Sequence, residues 1–356
     1  MVQLIDLNDI ELLKKGDPEN MLGALAGLAD QCREAVKLAR DKEISFAKSF
    51  RNVVVTGLGG SAIGGDFLRV YAVNKCPIPI IVNRDYTLPL FVGEETLVLA
   101  VSYSGNTEET LSAYEEAKPK GAAVVALTSG GKLAQKAQED GVPLILIPGG
   151  LQPRAATGYL FIPILLVLEK LGLVPDVNKE LEDMISALEN LNARADLHVE
   201  EEKNPAKQLA KLFRNKIPVI WGVAGTTETV AMRWKGQINE NSKALAYFNI
   251  FPELNHNEIV GTEAPEKLLK EIELVFLRTQ DDHPRVQKRF DITKEIIGER
   301  VGGITEIWGE GNSPLARMFS LTYLGDYTSA YLAILYGIDP SPVKLITLLK
   351  NKLAQE

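Results

Sequence analysis

Residues 98–118 read VLAVSYSGNTEETLSAYEEAK, which begins as an apolar run, turns hydroxyl-rich within five positions and continues as a charged helical segment. An apolar run, a polar turn and a helix in succession are the repeating unit of a parallel α/β sheet. The turn carries Ser102, Ser104 and Thr107. These residues either cap the helix in the ordinary way or, with the free N–H groups of the helix N-terminus, form an anion-binding site.

Similar apolar runs recur along the chain at intervals that leave room for a helix between them. They are continuously apolar rather than alternating, which indicates parallel sheets covered by helices on both faces. We therefore predict two doubly wound α/β domains in tandem. The predicted strands are VVVTG (53–57), IPIIV (78–82), LVLAVS (97–102), AAVVALTS (122–129), PLILIP (143–148), IPVIWGV (217–223), ALAYFNI (244–250), EIELVFLRT (271–279) and ITEIWG (304–309).

The segments outside these strands complete the predicted domain organisation. Residues 1–45 form an N-terminal helical segment, in which Asp17 is a plausible N-cap and Pro18 the first helical residue. We predict a first domain over residues 46–172, an acidic helical connector over 173–204 and a second domain over 205–356. The second domain ends in a helix from about residue 342 to residue 354.

Composition excludes several classes of protein. With 356 residues, 46% hydrophobic content and a net charge of −8, the chain is a globular protein without the basic surface that a nucleic-acid partner needs. Cys32 and Cys76 stand alone, which excludes a disulfide framework or a zinc site. The N-terminus lacks the basic start of a signal peptide, and the most apolar stretch, residues 158–174, is short and contains Pro163 and Glu169. We expect a cytoplasmic protein with no membrane association.

The loop after the first strand reads GLGGSAIGGD, residues 57–66. Its glycines leave the backbone bare, and Ser61 offers a hydroxyl at the start of a helix. A dinucleotide-binding loop is the main alternative, but GxGxxG is not matched cleanly, because the frame from Gly57 ends on Ala62. Asp85 also lies farther along than the acidic residue of that fingerprint.

Taken together, the loops 57–66 and 102–110 resemble the sugar isomerase (SIS) domain, a phosphosugar-binding α/β module. Three further segments extend the resemblance to the bifunctional phosphoglucose/phosphomannose isomerases over nearly the whole chain, in the same order. They are LQPRAATGYLF (151–161), WKGQINENSKALAYFNIFPELNHNEIVG (234–261) and YLAILYGIDPSPVKLITLLK (331–350). The connector carries little of the resemblance.

This resemblance implies two SIS-type αβα sandwiches and a sugar 6-phosphate substrate. The reaction is aldose–ketose isomerisation by ring opening and proton transfer through a cis-enediolate, for which no redox cofactor or metal is implied. Hydroxyls and backbone amides are suited to the phosphate, because each hydrogen bond to a charged acceptor contributes ~1.5–3 kcal/mol. The expected substrate-binding residues are Gly59, Gly60, Ser61, Ser102, Ser104 and Thr107.

Three catalytic residues follow from the same resemblance. Glu240 stands where the family places its base; considered alone, it is a solvated glutamate. His256 is implied in ring opening, reaching the active site of the partner subunit in a homodimer, with a turn-stabilising histidine as the alternative. Arg154 is a fixed cation that stabilises the enediolate oxygen, with a surface ion pair as the alternative. The other histidines, His198 and His283, lie in charged surface segments.

A C-terminal lysine also assists ring opening in the family. Lys344, Lys350 and Lys352 are the candidates, and Lys350 is chosen because it follows the apolar run 346–349. A hydroxyl residue accompanies it, and either Ser341 or Thr347 fits. All three lysines are alternatively a solvated helix face.

The sequence thus predicts an isomerase that interconverts glucose 6-phosphate and fructose 6-phosphate and also accepts mannose 6-phosphate. One alternative is another SIS isomerase acting on a different phosphosugar. The other is a non-catalytic sensor that binds a sugar phosphate to control a partner. A sensor would keep the phosphate hydroxyls but would have no use for Glu240 and His256.

Overall fold

A computed structural model describes residues 5–353 and residue 355. Within these residues the chain forms fourteen α-helices and nine strands in two parallel sheets, which confirms the predicted α/β class. The first elements are α1 (Ile10–Gly16), α2 (Met21–Ala26), α3 (Leu28–Arg40), β1 (Asn52–Thr56), α4 (Gly60–Ala72), β2 (Ile80–Asn83), β3 (Thr96–Val101), α5 (Glu108–Ala117), β4 (Ala123–Thr128), α6 (Gly131–Glu139), β5 (Leu144–Leu146) and α7 (Thr157–Lys170).

The second half of the chain repeats the alternation of strands and helices. Its elements are α8 (Asn178–Ala195), α9 (Pro205–Phe213), β6 (Ile217–Val223), α10 (Glu228–Gln237), β7 (Tyr247–Phe251), α11 (Glu266–Leu269), β8 (Ile272–Arg278), α12 (Pro284–Ile297), β9 (Gly303–Trp308), α13 (Pro314–Leu335) and α14 (Lys344–Leu353). Each predicted strand is present, and the C-terminal helix is confirmed within the described residues. Its predicted end at residue 354 lies outside them.

The contacts divide the chain into two compact units. The first unit comprises Gly27–Leu188 and Gly311–Arg317; the second comprises the segment that ends at Ala26, Glu189–Glu310 and the C-terminal part from Met318. The boundaries 46–172, 173–204 and 205–356 stay a prediction. None of the helices among the described residues is long and apolar enough to cross a membrane.

The first unit is built on the five-stranded sheet, with strand order β2-β1-β3-β4-β5, all parallel. Every residue of β3 and β4 is buried, as expected for central strands with helices on both faces. The chain leaves β1 towards β2 on one side and returns to β3 on the other. The strand order therefore reverses between β1 and β3, where open α/β sheets bind their ligands.

The second unit is built on a four-stranded parallel sheet with the order β7-β6-β8-β9. Its core is strongly aromatic: the rings of Trp221 and Phe276 stack with centroids 5.4 Å apart, and Phe251 and Phe290 pack against them. Strand β7 lies at an open edge of the sheet, and Tyr247 and Phe248 are exposed there.

The N-terminal segment differs from the sequence prediction at the start of its second helix. Asp17 directly follows α1 and is not the N-cap residue of α2, but its carboxylate accepts hydrogen bonds from the N–H groups of Met21 and Leu22, both at 2.7 Å. The expectation that Pro18 is the first helical residue is wrong. Asn20 has φ +58°, a left-handed conformation through which an α-helix cannot run, so the helix begins at Met21.

Candidate active site

Two loops of the first unit flank the reversal point of its sheet. One follows β1 and leads into α4, and the other follows β3 and leads into α5. Both helices begin without a side-chain hydrogen bond to their first N–H groups: Gly59 is the N-cap of α4 and Thr107 is the N-cap of α5. Uncapped helix N-termini present N–H donors and a partial positive charge, which favour an anion.

Ser102 is the first residue of the second loop, directly after β3, and is completely buried. Its Oγ accepts a hydrogen bond from the Gly105 N–H at 3.1 Å and lies 2.9 Å from the Thr107 Oγ1. Gly105 has φ +68°, and a β-carbon there would lie 1.8 Å from the Gly130 carbonyl oxygen. The loop is therefore tightly fixed, and Ser102 both shapes it and brings its hydroxyl next to that of Thr107.

Ser104 stands on the same loop but is exposed. Its Oγ accepts a hydrogen bond from the Asn106 N–H at 3.3 Å, and the Asn106 side-chain amide donates to the Ser104 carbonyl oxygen at 3.1 Å. The hydroxyl proton of Ser104 is not used in that contact, so it can be donated to a ligand. Ser102, Ser104 and Thr107 thus occupy one short turn at the helix N-terminus, as the sequence predicts.

The first loop supplies Gly59, Gly60 and Ser61. Gly59 has φ +54°, and a β-carbon on Gly60 would lie 2.6 Å from the Pro153 carbonyl oxygen. Ser61 is buried, and its Oγ accepts a hydrogen bond from the Tyr103 N–H at 3.1 Å. The two loops are therefore joined directly, and all six predicted substrate-binding residues lie around the reversal point.

Arg154 lies next to the first loop, because the backbone of Pro153 and Arg154 packs closely against Gly60. It lies in a 3₁₀ turn, Pro153–Ala155, ahead of α7, and is 4% exposed. A β-carbon on Gly60 would lie 3.2 Å from the Arg154 backbone nitrogen. This burial rules out the alternative of a surface ion pair and leaves a fixed buried cation beside the N-terminus of α4.

Tyr103 is a supporting residue that the sequence analysis did not single out. Its hydroxyl donates to the Pro148 carbonyl oxygen at 3.1 Å and accepts from the Leu151 N–H at 3.0 Å. Burial raises the pKa of Tyr103, so the phenol stays protonated. It ties the serine-rich loop to the segment that leads to Arg154. Its position between Ser102 and Ser104 is the sequence feature from which a supporting role could have been predicted.

In the second unit, Glu240 lies on a π-helical turn, Ile238–Ser242, that continues α10 without a break. Turns of this kind occur mostly as single interruptions of α-helices and are frequent at functional sites. The turn ends at Lys243, which has φ +52°. The Lys243 ammonium donates to the carbonyl oxygens of Asp339 and Pro340 and so ties the turn to the segment before α14.

Glu240 is half-buried and lines a cavity of about 830 Å³. The cavity is bounded by α10 and its π-helical turn, by the segment that enters β7 and by the segment that enters α14. Most of its lining is apolar. Its charged and polar lining residues are Lys235, Asn239, Glu240, Lys243, Tyr247, Asp339 and Lys344.

His256 does not line this cavity. It ends a 3₁₀ turn, Glu253–His256, and is exposed. Its neighbours fix the turn: Asn255 donates to the Thr293 hydroxyl at 3.0 Å, and Asn257 donates to the Glu253 carboxylate at 3.2 Å. The chain thus presents His256 outwards on a turn that other side chains hold.

The C-terminal lysines are separated by the structure. Lys344, at the start of α14, lines the cavity with Glu240, whereas Lys350 lies in the exposed last turn of the helix and outside the cavity lining. Ser341 is buried, while Thr347 is exposed and bonds to the Val343 carbonyl oxygen at 3.4 Å. Within a single chain, then, the structure does not bring the chosen Lys350 to the cavity that Glu240 lines.

No cluster of three or more metal-ligating side chains occurs in the part of the chain that the structure describes.

Comparison of the sequence with models of protein families finds one match in each half of the chain. Residues 47–141 match the SIS domain, and residues 202–353 match the bacterial phospho-glucose isomerase C-terminal SIS domain. The fold and the loops thus define a protein with two SIS domains.

The relatives narrow this class further. A bifunctional phosphoglucose/phosphomannose isomerase from Caldicellulosiruptor bescii is 54% identical over 94% of this chain and 99% of the relative. One from Aquifex aeolicus is 44% identical over 85% of this chain and 91% of the relative. The chain belongs to the family of bifunctional phosphoglucose/phosphomannose isomerases. A solved glucose-6-phosphate isomerase like protein from Thermus thermophilus shares the fold, with a TM-score of 0.59 and 21% identity over 90% of this chain and 97% of that one.

Proposed function

We propose that this enzyme interconverts glucose 6-phosphate and fructose 6-phosphate, and mannose 6-phosphate and fructose 6-phosphate, by proton transfer alone. The main support for this proposal is the pair of uncapped helix N-termini at the reversal point of the first sheet. The hydroxyls of Ser61, Ser102 and Thr107 lie in the same two loops. Such a site holds a phosphate without a lysine. The family membership supports the same activity.

The phosphate anchors a substrate whose reacting carbons lie at the other end of the molecule. Ring opening comes first: a proton leaves the anomeric hydroxyl and another is delivered to the ring oxygen as the C1–O5 bond (C2–O5 in fructose) breaks. We assign this step to His256 with assistance from a C-terminal lysine, for which Lys350 is the candidate chosen from the sequence. A neutral imidazole is suited to exchanging protons near neutral pH.

The isomerisation itself moves a proton between two neighbouring carbons. Glu240 takes the proton from C2, and the electron pair of that bond becomes the C1–C2 double bond of a cis-enediolate while the carbonyl oxygen gains negative charge. The buried Arg154 cation stabilises that oxygen. The proton of the C2 hydroxyl then moves to O1, the electron pair of the C1–C2 double bond takes up the carbon-bound proton at C1, and C2 and its oxygen become the carbonyl group of fructose 6-phosphate. No electrons are gained or lost, so the chemistry requires no redox cofactor.

Two exposed apolar surfaces of the second unit support the proposal of a homodimer. Helix α14 has no buried residue, and Leu345, Leu349 and Leu353 are more than half exposed. The edge strand β7 exposes Tyr247 and Phe248 nearby, since both elements contribute to the lining of the Glu240 cavity. Apolar surface of this extent favours association. In the dimer we place His256 of each chain in the active site of its partner.

Subunit exchange between two inactive variants tests this arrangement. We expect His256→Ala and Glu240→Gln proteins to be nearly inactive alone and to regain part of the activity when mixed, because some hybrid sites then contain both residues. The measurement is isomerase activity before and after exchange, with exchange followed by native mass spectrometry. If exchange is complete and activity does not return, the two residues act from the same chain or one of the assigned roles is wrong.

The activity itself is tested with purified protein and each aldose phosphate. We expect fructose 6-phosphate to form from both glucose 6-phosphate and mannose 6-phosphate, in coupled assays with the buffer treated with a chelator. Binding of both sugars without turnover would favour the sensor alternative. Turnover of a different phosphosugar alone would identify another SIS isomerase.

The cellular setting follows from the substrates. The reactions belong to carbohydrate metabolism, in glycolysis and gluconeogenesis, and we place them in the cytoplasm, where hexose 6-phosphates are made and used.

A further inference from the structure

The π-helical turn that carries Glu240 is attached to α13 by a row of buried polar contacts. Asn241 donates its side-chain amide to the Ser329 Oγ at 2.9 Å, and the Ser242 hydroxyl donates to the Ser329 carbonyl oxygen at 2.7 Å. Asn241, Ser242 and Ser329 are completely buried. The two residues that follow Glu240 thus point into the unit, whereas Glu240 itself lines the cavity.

The same row continues along α10 before the turn. Arg233 donates to both carboxylate oxygens of Asp326, at 2.9 and 2.7 Å, and Gln237 donates to one of them at 2.9 Å. Each of these three side chains is at most 4% exposed. Residues 233, 237 and 241 recur at intervals of four and therefore lie along one side of the helix. Asp326 and Ser329 stand three apart on α13 and face them.

The backbones of the two helices also approach closely along this row. The Trp234 indole donates to the Leu321 carbonyl oxygen at 2.8 Å. A β-carbon on Gly325 would lie 2.2 Å from the indole nitrogen, so no larger residue fits there without movement. The register of α10 against α13 is therefore fixed by packing at Gly325 and by hydrogen bonds at Asp326 and Ser329.

Polar contacts of this kind are a costly way to hold two helices together. A buried ion pair often adds no more stability than apolar side chains of similar volume, because the desolvation of both charges offsets their attraction. The best-attested role of buried polar groups is to specify register. Here the register that they specify determines where the wide π-helical turn directs its only carboxylate, Glu240.

We propose that Asp326 and Ser329 are positioning residues for the isomerase reaction, which hold the Glu240 carboxylate at the carbon from which it takes a proton. The inference rests on the proposed role of Glu240 as the base. Asp326 fixes the end of α10 through Arg233 and Gln237, and Ser329 fixes the turn through Asn241. Small displacements of a catalytic group reduce rates strongly, and about 1 Å can cost ~10²-fold.

The test compares two buried hydroxyls on α13. Ser329→Ala removes the acceptor of Asn241. Thr328→Val is the matched control, because the Thr328 hydroxyl is equally buried but donates only to Leu324 of its own helix, at 2.7 Å. We expect Ser329→Ala to lower kcat roughly tenfold, and to lower exchange of the C2 proton with solvent in parallel, while the Kd for fructose 6-phosphate stays within about twofold. Thr328→Val retains the wild-type kcat. Equal effects of the two changes on kcat would overturn the proposal.

A double-mutant cycle shows whether the effect acts through Glu240. In a Glu240→Gln background, Ser329→Ala should have no further effect on the residual rate, because the carboxylate that it positions is gone. The same tenfold loss in both backgrounds would mean a general loosening of the unit and would overturn the inference. Asn241→Ala removes the other partner and should reproduce the loss without adding to it, which keeps the test available if one variant unfolds.

The outcome also separates this inference from the proposed function. A Glu240→Gln protein with the wild-type kcat would show that Glu240 is not the base. It would overturn that part of the proposed function and the positioning inference together. A Glu240→Gln protein that is inactive beside a fully active Ser329→Ala protein would leave the proposed function intact and overturn only the positioning role.

Discussion

Replacing Glu240 by glutamine is expected to depress both isomerisations by at least ~10²–10⁴-fold, the usual contribution of a general base. Glucose 6-phosphate and mannose 6-phosphate differ only in configuration at C2, and loss of that proton gives the same cis-enediolate from either. One carboxylate can therefore serve both if rotation about C2–C3 turns either proton towards it.

The measurement is kcat with each aldose phosphate, together with exchange of the C2 proton in D₂O. Binding of fructose 6-phosphate should persist, because the phosphate-binding hydroxyls are unchanged. Glu266→Gln is a suitable control, since this glutamate is exposed at the start of α11. A variant that lost the glucose reaction but kept the mannose reaction would require two bases and would contradict the shared enediolate.

The second large effect is expected from the serine-rich loop. Changing Ser102 and Ser104 together to alanine removes two predicted donors to the phosphate, and each such hydrogen bond contributes ~1.5–3 kcal/mol towards a charged acceptor. Affinity for sugar 6-phosphates should therefore fall by ~10²–10⁴-fold, with the fold retained. Binding is best measured as the Kd for fructose 6-phosphate in the Glu240→Gln protein, in which turnover does not interfere.

Ser129→Ala provides the matched control for this loop. The Ser129 hydroxyl donates to the Tyr103 carbonyl oxygen at 2.6 Å and supports the loop without being a predicted phosphate ligand. We expect its Kd to change by less than about tenfold. If Ser129→Ala weakened binding as strongly as the double change, the geometry of the loop rather than its hydroxyls would account for the affinity. Wild-type affinity in the double variant would show that residues 102–107 are an ordinary turn without a role in phosphate binding.

The sequence was sufficient to predict the strands and the position of the hydroxyl-rich turn over residues 102–107. Continuous apolar runs such as residues 97–101 become buried central strands because burial on both faces requires apolar side chains at every position. The hydroxyls of residues 102–107 follow directly, so their place at a helix N-terminus is a local consequence of the chain. The reversal of strand order that makes this end of the sheet a site involves β1, β2 and β3 together, and only the structure reveals it.

Other features of the site were decided by packing between distant segments. The sequence suggested a surface ion pair as the alternative role for Arg154, but the close approach of Pro153 to Gly60, more than ninety residues earlier, buries it. The choice of Lys350 rested on its distance from the chain end and on the apolar run before it, whereas Lys344 is the C-terminal candidate that lines the Glu240 cavity. Helical periodicity predicts which face of a helix is buried, but it does not predict which segment packs against that face.

The sequence by itself thus determined the fold class, the strands and the position of the hydroxyl-rich turn at a helix N-terminus, because periodicity, burial and turn chemistry are properties of neighbouring residues. The tertiary structure alone decided the strand order, the burial of Arg154 and the π-helical turn beneath Glu240. That turn depends on Asn241 and Ser242 finding Ser329, nearly ninety residues away, and such contacts leave no periodic pattern in the chain.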